Sequence, residues 1–301
     1  IHRVCVDIDN REKSKVPTMC RDEFRLRNFK LWHPILQDFT HSRWLSLPLF
    51  LGYRLIVTGY NLAWLIYNIW LYRAKLFIFL TNWTFTILNL YFLLATGLTS
   101  SAFYCKYRRS RRETSPSSPV KEGTNTEIEM ESGNDKLNDG NTPSDEAREE
   151  DALRFQHKFL WLLYIISANG GLLVTAGYWT VLFEEDEPVD ANNVTKHALN
   201  SVFMLIDTFL SSIPVRLFHF IYPLLYIIIY LGFTVVYWVL GGTNIQGESY
   251  IYKLLDYDNY DPSTGCLVGF VLLVVQPVLQ ILLFGFVKLR DYIYKKQNDF
   301  V

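Results

Sequence analysis

The sequence predicts an all-α membrane protein, a bundle of about six transmembrane helices. Three observations predict it. Apolar residues collect in long blocks, charged residues collect between the blocks, and the sign of that charge changes from loop to loop. The chain has 301 residues, 50% hydrophobic and 16% aromatic, with a formal net charge of −1. A soluble chain of that length would form about two domains, but segregation on this scale is what a bilayer demands.

A hydrocarbon core roughly 30 Å thick needs about 20 apolar residues in a helix. Six stretches meet or approach that length: Leu47–Tyr72, Leu76–Phe103, Phe159–Phe183, Ala198–Val215, Phe218–Leu240 and Cys266–Val287. The fourth is the shortest and carries Asp207. Between the fourth and fifth, Pro214 disfavours helix in the residue before it and removes a donor. Arg216 then supplies a charge that prefers the interface. Gly241-Gly242 after the fifth reads as a helix stop.

The loop charges set an orientation. Lys106, Arg108, Arg109, Arg111 and Arg112 follow the second span, and Lys288, Arg290, Lys295 and Lys296 follow the sixth. The third loop instead reads Glu184, Glu185, Asp186, Glu187 and Asp190, and the fifth holds Glu248, Asp256, Asp258 and Asp261 against Lys253. Lysine and arginine stay cytosolic, which places both termini in the cytosol. Arg73 and Lys75, in the tight first turn, dissent but are outnumbered. The resulting divisions are 1–46, a cytosolic N-terminal segment lying partly on the membrane; 47–103, spans one and two; 104–158, a cytosolic loop; 159–287, spans three to six; and 288–301, a cytosolic tail. Residues 113–150 are rich in Glu, Asp, Ser, Asn, Gly and Pro and are expected to be disordered. Ser115, Ser117 and Ser118 there are candidate phosphorylation sites that would weaken attraction of the basic cluster to anionic lipid. Residues 1–30 hold no apolar run, so the first span is expected to serve as the insertion signal.

Polar side chains inside spans are costly and face the bundle interior. Here they lie on stripes. Arg54, Thr58, Asn61 and Asn68 share one face of span one, and Asn82, Thr86, Asn89 and Thr96 one face of span two. Asn200, Met204, Asp207 and Ser211 align in span four, and Gln276 and Gln280 are one turn apart in span six. Asn169 and the small pair Gly170-Gly171 mark span three, where small residues let helices approach closely. Two readings stay open: interhelical hydrogen bonding, or a polar cavity built from Asn61, Asn82, Asn89, Asn200, Gln276 and Gln280 that takes a lipid headgroup. Arg54 and Asp207 each lie seven to nine residues from the cytosolic boundary, about 10–14 Å deep at roughly 1.5 Å per residue. Opposite charges at one depth are expected to pair.

Other chemistry is sparse. No nucleotide-binding glycine loop, HExxH or GxSxG motif occurs, and no His/Cys group has metal-ligand spacing. No cofactor or metal is expected. The basic runs are short and juxtamembrane, so nucleic acid is not an expected partner. The expected partners are the bilayer and a lipid ligand or membrane protein. Of Cys5, Cys20, Cys105 and Cys266, none forms a CxxC pair, and free thiols are expected. Cys105 sits where a span meets basic residues, a setting for S-palmitoylation. Asn193-Val194-Thr195 is a glycosylation sequon in the acidic third loop, which charge independently places outside. Asn82-Trp83-Thr84 fits the same pattern inside a span.

A set of local stretches goes further: Ser42-Arg43-Trp44, Tyr53-Arg54-Leu55, Phe79-Leu80-Thr81-Asn82-Trp83, Leu205-Ile206-Asp207 through Pro223, Tyr237-Trp238, Gly241 to Asn244, Tyr250-Ile251-Tyr252 and Leu255-Asp256. In these the chain resembles the Rolling stone family of animal membrane proteins, over about residues 20–300 apart from the polar loop. The resemblance implies a multi-pass protein, at the plasma membrane, linked to myoblast fusion, and no known reaction. More distantly the chain is similar to androgen-induced transmembrane threonine hydrolases, which cleave fatty-acid esters of hydroxy fatty acids with a Thr and a His. Thr81 stands at the Thr position. Asn200 is retained from the Asn-His-x-x-His pattern, but Met204 stands at the His position. The two functions carried forward are non-catalytic action in cell–cell fusion or adhesion, and intramembrane lipid ester hydrolysis by Thr81 with His197 as a substitute base.

Overall fold

Two helix starts are written directly in the sequence. Ser46 precedes Leu47-Pro48, and a proline in the first turn has no amide hydrogen to leave unpaired. Asp190 accepts a hydrogen bond from the Asn193 amide at 2.7 Å, an N-cap that starts another helix. The computed structural model describes residues 23, 25–113, 155–183, 189–259 and 261–299. The expectations for 1–22, for the loop 114–154 with its serines, and for Glu184–Glu187 fall outside the described residues.

Six helical segments form the body. They are α1 (Leu47–Tyr72), α2 (Leu80–Glu113), α3 (Phe155–Gly177, continued by a π turn Tyr178–Leu182), α4 (Ala191–Val194, a π turn Thr195–Leu199, then Asn200–Leu210), α5 (Ile221–Val239) and α6 (Pro262–Phe270, a π turn Val271–Val275, then Gln276–Asp299). Five of these are long and apolar enough to cross a membrane; α4 is too polar to meet that standard. This is an all-α membrane bundle. α2 starts later than its hydropathy suggests, because Arg73–Ile78 forms a tight 3₁₀ turn. α4 starts earlier than the apolar run, at its Asp190 cap, and ends at Leu210 instead of Val215.

The segments alternate between two ends. At the near end Ser42 bonds the Leu210 carbonyl, Trp161 bonds that of Pro214, Tyr222 bonds that of Phe29, and Arg43 pairs with Asp291 at 2.9 Å. These contacts gather the starts of α1, α3 and α5 with the ends of α4 and α6. At the far end Asn68 meets Asn192 at 2.9 Å, Leu80 N donates to the Tyr252 hydroxyl at 3.1 Å, and Lys75 bonds Thr243 and Asn244. α3 is the central helix: 67% of its apolar window is buried, against 17% for α6. The described part of residues 23–46 folds across the near end, with Phe39 fully buried and Trp44 stacked on Phe209.

Non-helical backbone at the near end needs partners, because an unsatisfied carbonyl in apolar surroundings is costly. Residues 211–216 obtain them from side chains. Arg290 donates to the carbonyls of Thr208, Ser211 and Ile213, at 2.8, 2.9 and 3.3 Å. Trp44 takes that of Phe209, Trp161 that of Pro214 at 2.8 Å, and Gln280 that of Arg216 at 2.6 Å. Arg290 is therefore a buried strut, 1% exposed, and not the free flanking charge that its position suggests.

The far end carries a cap, residues 240–259. α5 stops at Gly241, whose φ of +72° suits glycine, and Gly242 N bonds back to the Tyr237 carbonyl at 2.9 Å. A side chain at Gly242 would clash with the Tyr237 ring. Lys75, the dissenting charge of the first turn, is committed here as a tie to the cap.

Candidate functional site

The structure brings Arg54 and Asp207 together. Both are fully buried, with Nε to Oδ1 and Nη2 to Oδ2 each at 3.3 Å. The guanidinium also donates to the carbonyls of Phe39 (3.2 Å) and Ala95 (3.3 Å) and to the Thr99 hydroxyl (2.8 Å), and lies 4.3 Å over the Phe50 ring. The Tyr91 hydroxyl donates to the same Oδ2 that Nη2 contacts. An ion pair this well bonded from four elements is a structural lock. Removing one partner leaves a buried charge alone. Arg54 and Asp207 are in turn joined to Thr58, which bonds Thr96 at 2.8 Å, and to Thr208, which meets Tyr164 at 2.9 Å.

The six residues proposed to line one polar cavity do not do so. Asn61, Asn89 and Asn200 turn their amide nitrogens onto their own helices, to Val57, Phe85 and Lys196, at 2.8, 2.8 and 2.7 Å. Gln276 and Gln280 join Asn169, at 3.3 and 2.8 Å, in a ladder between α3 and α6. Buried amide nitrogens bond the nearest carbonyl, while the side-chain oxygens of Asn61, Asn82, Asn89 and Gln276 are buried without a partner among the described residues. Asn82 borders a larger space.

That space lies at the far end, between the cap and the ends of α1 to α4. It is a cavity of about 700 Å³. Thr81 and His197 both line it, as do Lys75, Lys196, Lys253 and Asp256. Thr81 is hydrogen-bonded to the Tyr252 phenol, whose oxygen also receives the Leu80 amide and so caps α2. His197 stacks face to face on Tyr178 at 3.6 Å, with Nδ1 3.2 Å from the Asn193 Oδ1. Asp256 and Asp261 have carboxyl groups held below the usual range. For Asp256 the largest cause is a hydrogen bond from the Asn259 side chain, and for Asp261 one from the Ser263 amide. Both stay ionised and brace their own loop.

A second, apolar pocket of about 170 Å³ adjoins it, between α3, α5 and α6. The two spaces share Thr81, Tyr178, Val181, Leu182, Tyr252 and Leu254 as common wall. Sequence reasoning missed this pocket and the cap residue Tyr252. The only signal was the run of aromatic and apolar residues inside an otherwise acidic loop.

Two modification candidates are placed as follows. Cys105 is 3% exposed and its sulfur is in a disulfide, which corrects the free-thiol and palmitoylation expectations for that residue, while Cys266 is a free, exposed thiol as expected. Asn193 is half-buried and donates its side-chain amide to the Tyr178 hydroxyl, so a glycan on that nitrogen requires the bond to be given up. Among the described residues no group of three or more metal-binding side chains occurs.

Comparison with known sequences adds the following. The sequence pattern of the family described as Protein rolling stone matches residues 144–299. That stretch holds Asp207, Gln280, Arg290 and the whole cap, while Arg54 precedes it. Protein rolling stone of Drosophila melanogaster is 33% identical over 136 residues, which are 44% of this chain and 49% of that protein. The match thus spans about half the length of that relative. No solved structure matches the chain.

Proposed function

Since the chain belongs to the Rolling stone family, we propose that it acts without catalysis in cell–cell fusion or adhesion, in myoblasts, as a multi-pass protein of the plasma membrane. Both termini are then cytosolic, because the near end carries the lysine and arginine clusters after α2 and along α6. The cap faces outside. The observation that supports this reading is the cap itself. Residues 240–259 are tied across the helix ends by Lys75, by Tyr252, and by Trp238 bonding Asp258 at 3.0 Å. A firm polar surface at the outer end suits contact between membranes. The group facing the Thr81 hydroxyl is a phenol, a poor base at neutral pH, and Met204 is core, 1% exposed. The test is a cell-mixing fusion assay with and without the protein, run beside lipidomics of the same cells. Loss of fusion without any change in lipid esters is expected. Normal fusion in its absence would end this reading.

One observation favours the second reading, an intramembrane lipid ester hydrolase with Thr81 as nucleophile and His197 as base: both residues line the same cavity. Purified protein is expected to show no ester hydrolysis above a Thr81→Ala control. Turnover lost in both Thr81→Ala and His197→Ala would establish the enzyme instead.

A further inference from the structure

The two adjoining spaces at the capped end form one amphipathic cleft. Its polar part holds three lysines against two aspartates, and none of these lysines is within ion-pair distance of either aspartate. Lys75 is committed to Thr243 and Asn244. Lys196 differs. It is half-buried on α4, with Asn68 Oδ1 at 3.4 Å and the Tyr72 ring at 5.3 Å, and Asp190 acts on it only from longer range. A cation withdrawn from solvent beside a cavity, with no carboxylate in contact among the described residues, is set to receive an anion. The apolar part is walled by Leu173, Val174, Ile227, Leu231, Val268 and Leu272. Its α6 wall is thin. Neither Pro262–Phe270 nor Val271–Val275 contains a buried residue, and Leu273 on the far side is 77% exposed. The α6 wall is thus apolar on both its slot side and its outer side.

The three π turns carry an independent indication. They lie in three different helices, and all border this cleft: Tyr178, Val181 and Leu182 from the first, Lys196 and His197 from the second, Val271 and Leu272 from the third. A π turn widens a helix and re-aims its side chains, and such turns gather at functional sites. Three of them border one space, where each places side chains on its wall.

We propose that this cleft binds a phospholipid monomer, with its phosphate on Lys196 and one acyl chain in the slot between α3, α5 and α6. The site stands whether or not the protein takes part in fusion, and it requires no reaction.

The test uses the full chain, purified in detergent, and tritiated oleoyl lysophosphatidic acid as probe. Saturable binding is expected, displaced by the unlabelled lipid. Glycerol phosphate, which has the anion without the chain, and oleyl alcohol, which has the chain without the anion, should each fail to displace it. Lys196→Ala is expected to weaken binding at least about tenfold through loss of a charge-assisted contact. Gly177 lines the slot with nothing within 4 Å of an added Cβ. Gly177→Leu therefore starts in open space, adds bulk at the slot wall and should weaken binding to a similar degree. Gly97 also has open space at its Cβ but lies outside the cleft, so Gly97→Leu should bind as the native chain does. Non-saturable uptake, full displacement by either half-ligand, or unaltered binding in Gly177→Leu would overturn the proposal.

Discussion

Asp207→Asn isolates the Arg54–Asp207 pair. The substitution keeps the shape and removes the negative charge. Arg54 keeps its contacts to Phe39, Ala95 and Thr99 and the face of Phe50, but none of these carries a countercharge. At 0% exposure water cannot supply one. Breaking a buried pair by removing one partner costs about 3–5 kcal/mol, roughly a 150- to 5,000-fold shift in the folded fraction at about 1.36 kcal/mol per factor of ten. Arg54→Met should cost a similar amount, since Asp207 would retain Tyr91 as its only side-chain donor. The double variant Arg54→Met/Asp207→Leu removes both charges. It should therefore be more stable than the two single losses added together, by at least about 2 kcal/mol. Equilibrium unfolding of the purified chain in mixed micelles with rising dodecyl sulfate measures all four corners of the cycle. Single variants that each cost under about 1 kcal/mol, or a double variant equal to the sum, would show that the pair does not lock the bundle.

Arg290→Met should destabilise the fold by about 3 kcal/mol or more, because three buried carbonyls lose their donor together; the same unfolding measurement reads it, and a change under about 1 kcal/mol would show that water reaches those carbonyls. Asp256 and Asp261 titrate below the ordinary aspartate range, so the bracing they give is present above about pH 3.9 and is lost as pH falls through their lower folded values. Protection from hydrogen exchange at the Asn259 and Ser263 amides, relative to the intrinsic rate at each pH, should accordingly hold down to about pH 4 and fall only below it; a loss of protection between about pH 7 and 5 would contradict the assignment. If the capped end faces outside, Asn193 should carry a glycan in place of its bond to Tyr178, visible as a mobility shift that glycosidase treatment or Asn193→Gln removes. Cleavage of the neighbouring loop by a cytosolic protease in sealed vesicles would reverse the orientation.

The sequence by itself determined the fold class and the buried faces. Hydropathy over twenty residues and a 3.6-residue period are local quantities, and they located α1, α3, α5 and the start of α6 within a few residues; α6 continues past the apolar run to Asp299. They also put Arg54, Asn61, Asn89, Asn200, Asp207 and Gln280 on interior stripes, where each is at most 2% exposed. Depth along two helices could be counted from their charged boundaries, so the Arg54–Asp207 pair was legible before any contact was known. α4 was legible only in part, because its start is set by the cap at Asp190 and not by hydropathy.

Tertiary structure alone decided what those interior groups bond to and where space remains. An asparagine stripe looks the same whether it lines a cavity or bonds back to its own turn. At Asn61 and Asn89 the amide nitrogen bonds back to its own turn. Arg290 reads as a flanking charge until the bend at residues 211–216 presents carbonyls to it. The cleft depends on three π turns and on Tyr252 reaching across from the cap to α2, contacts between residues 171 and 172 positions apart in sequence. Local pattern reports which side of a helix is buried; only the assembled bundle fixes which partner, and which void, each buried side meets.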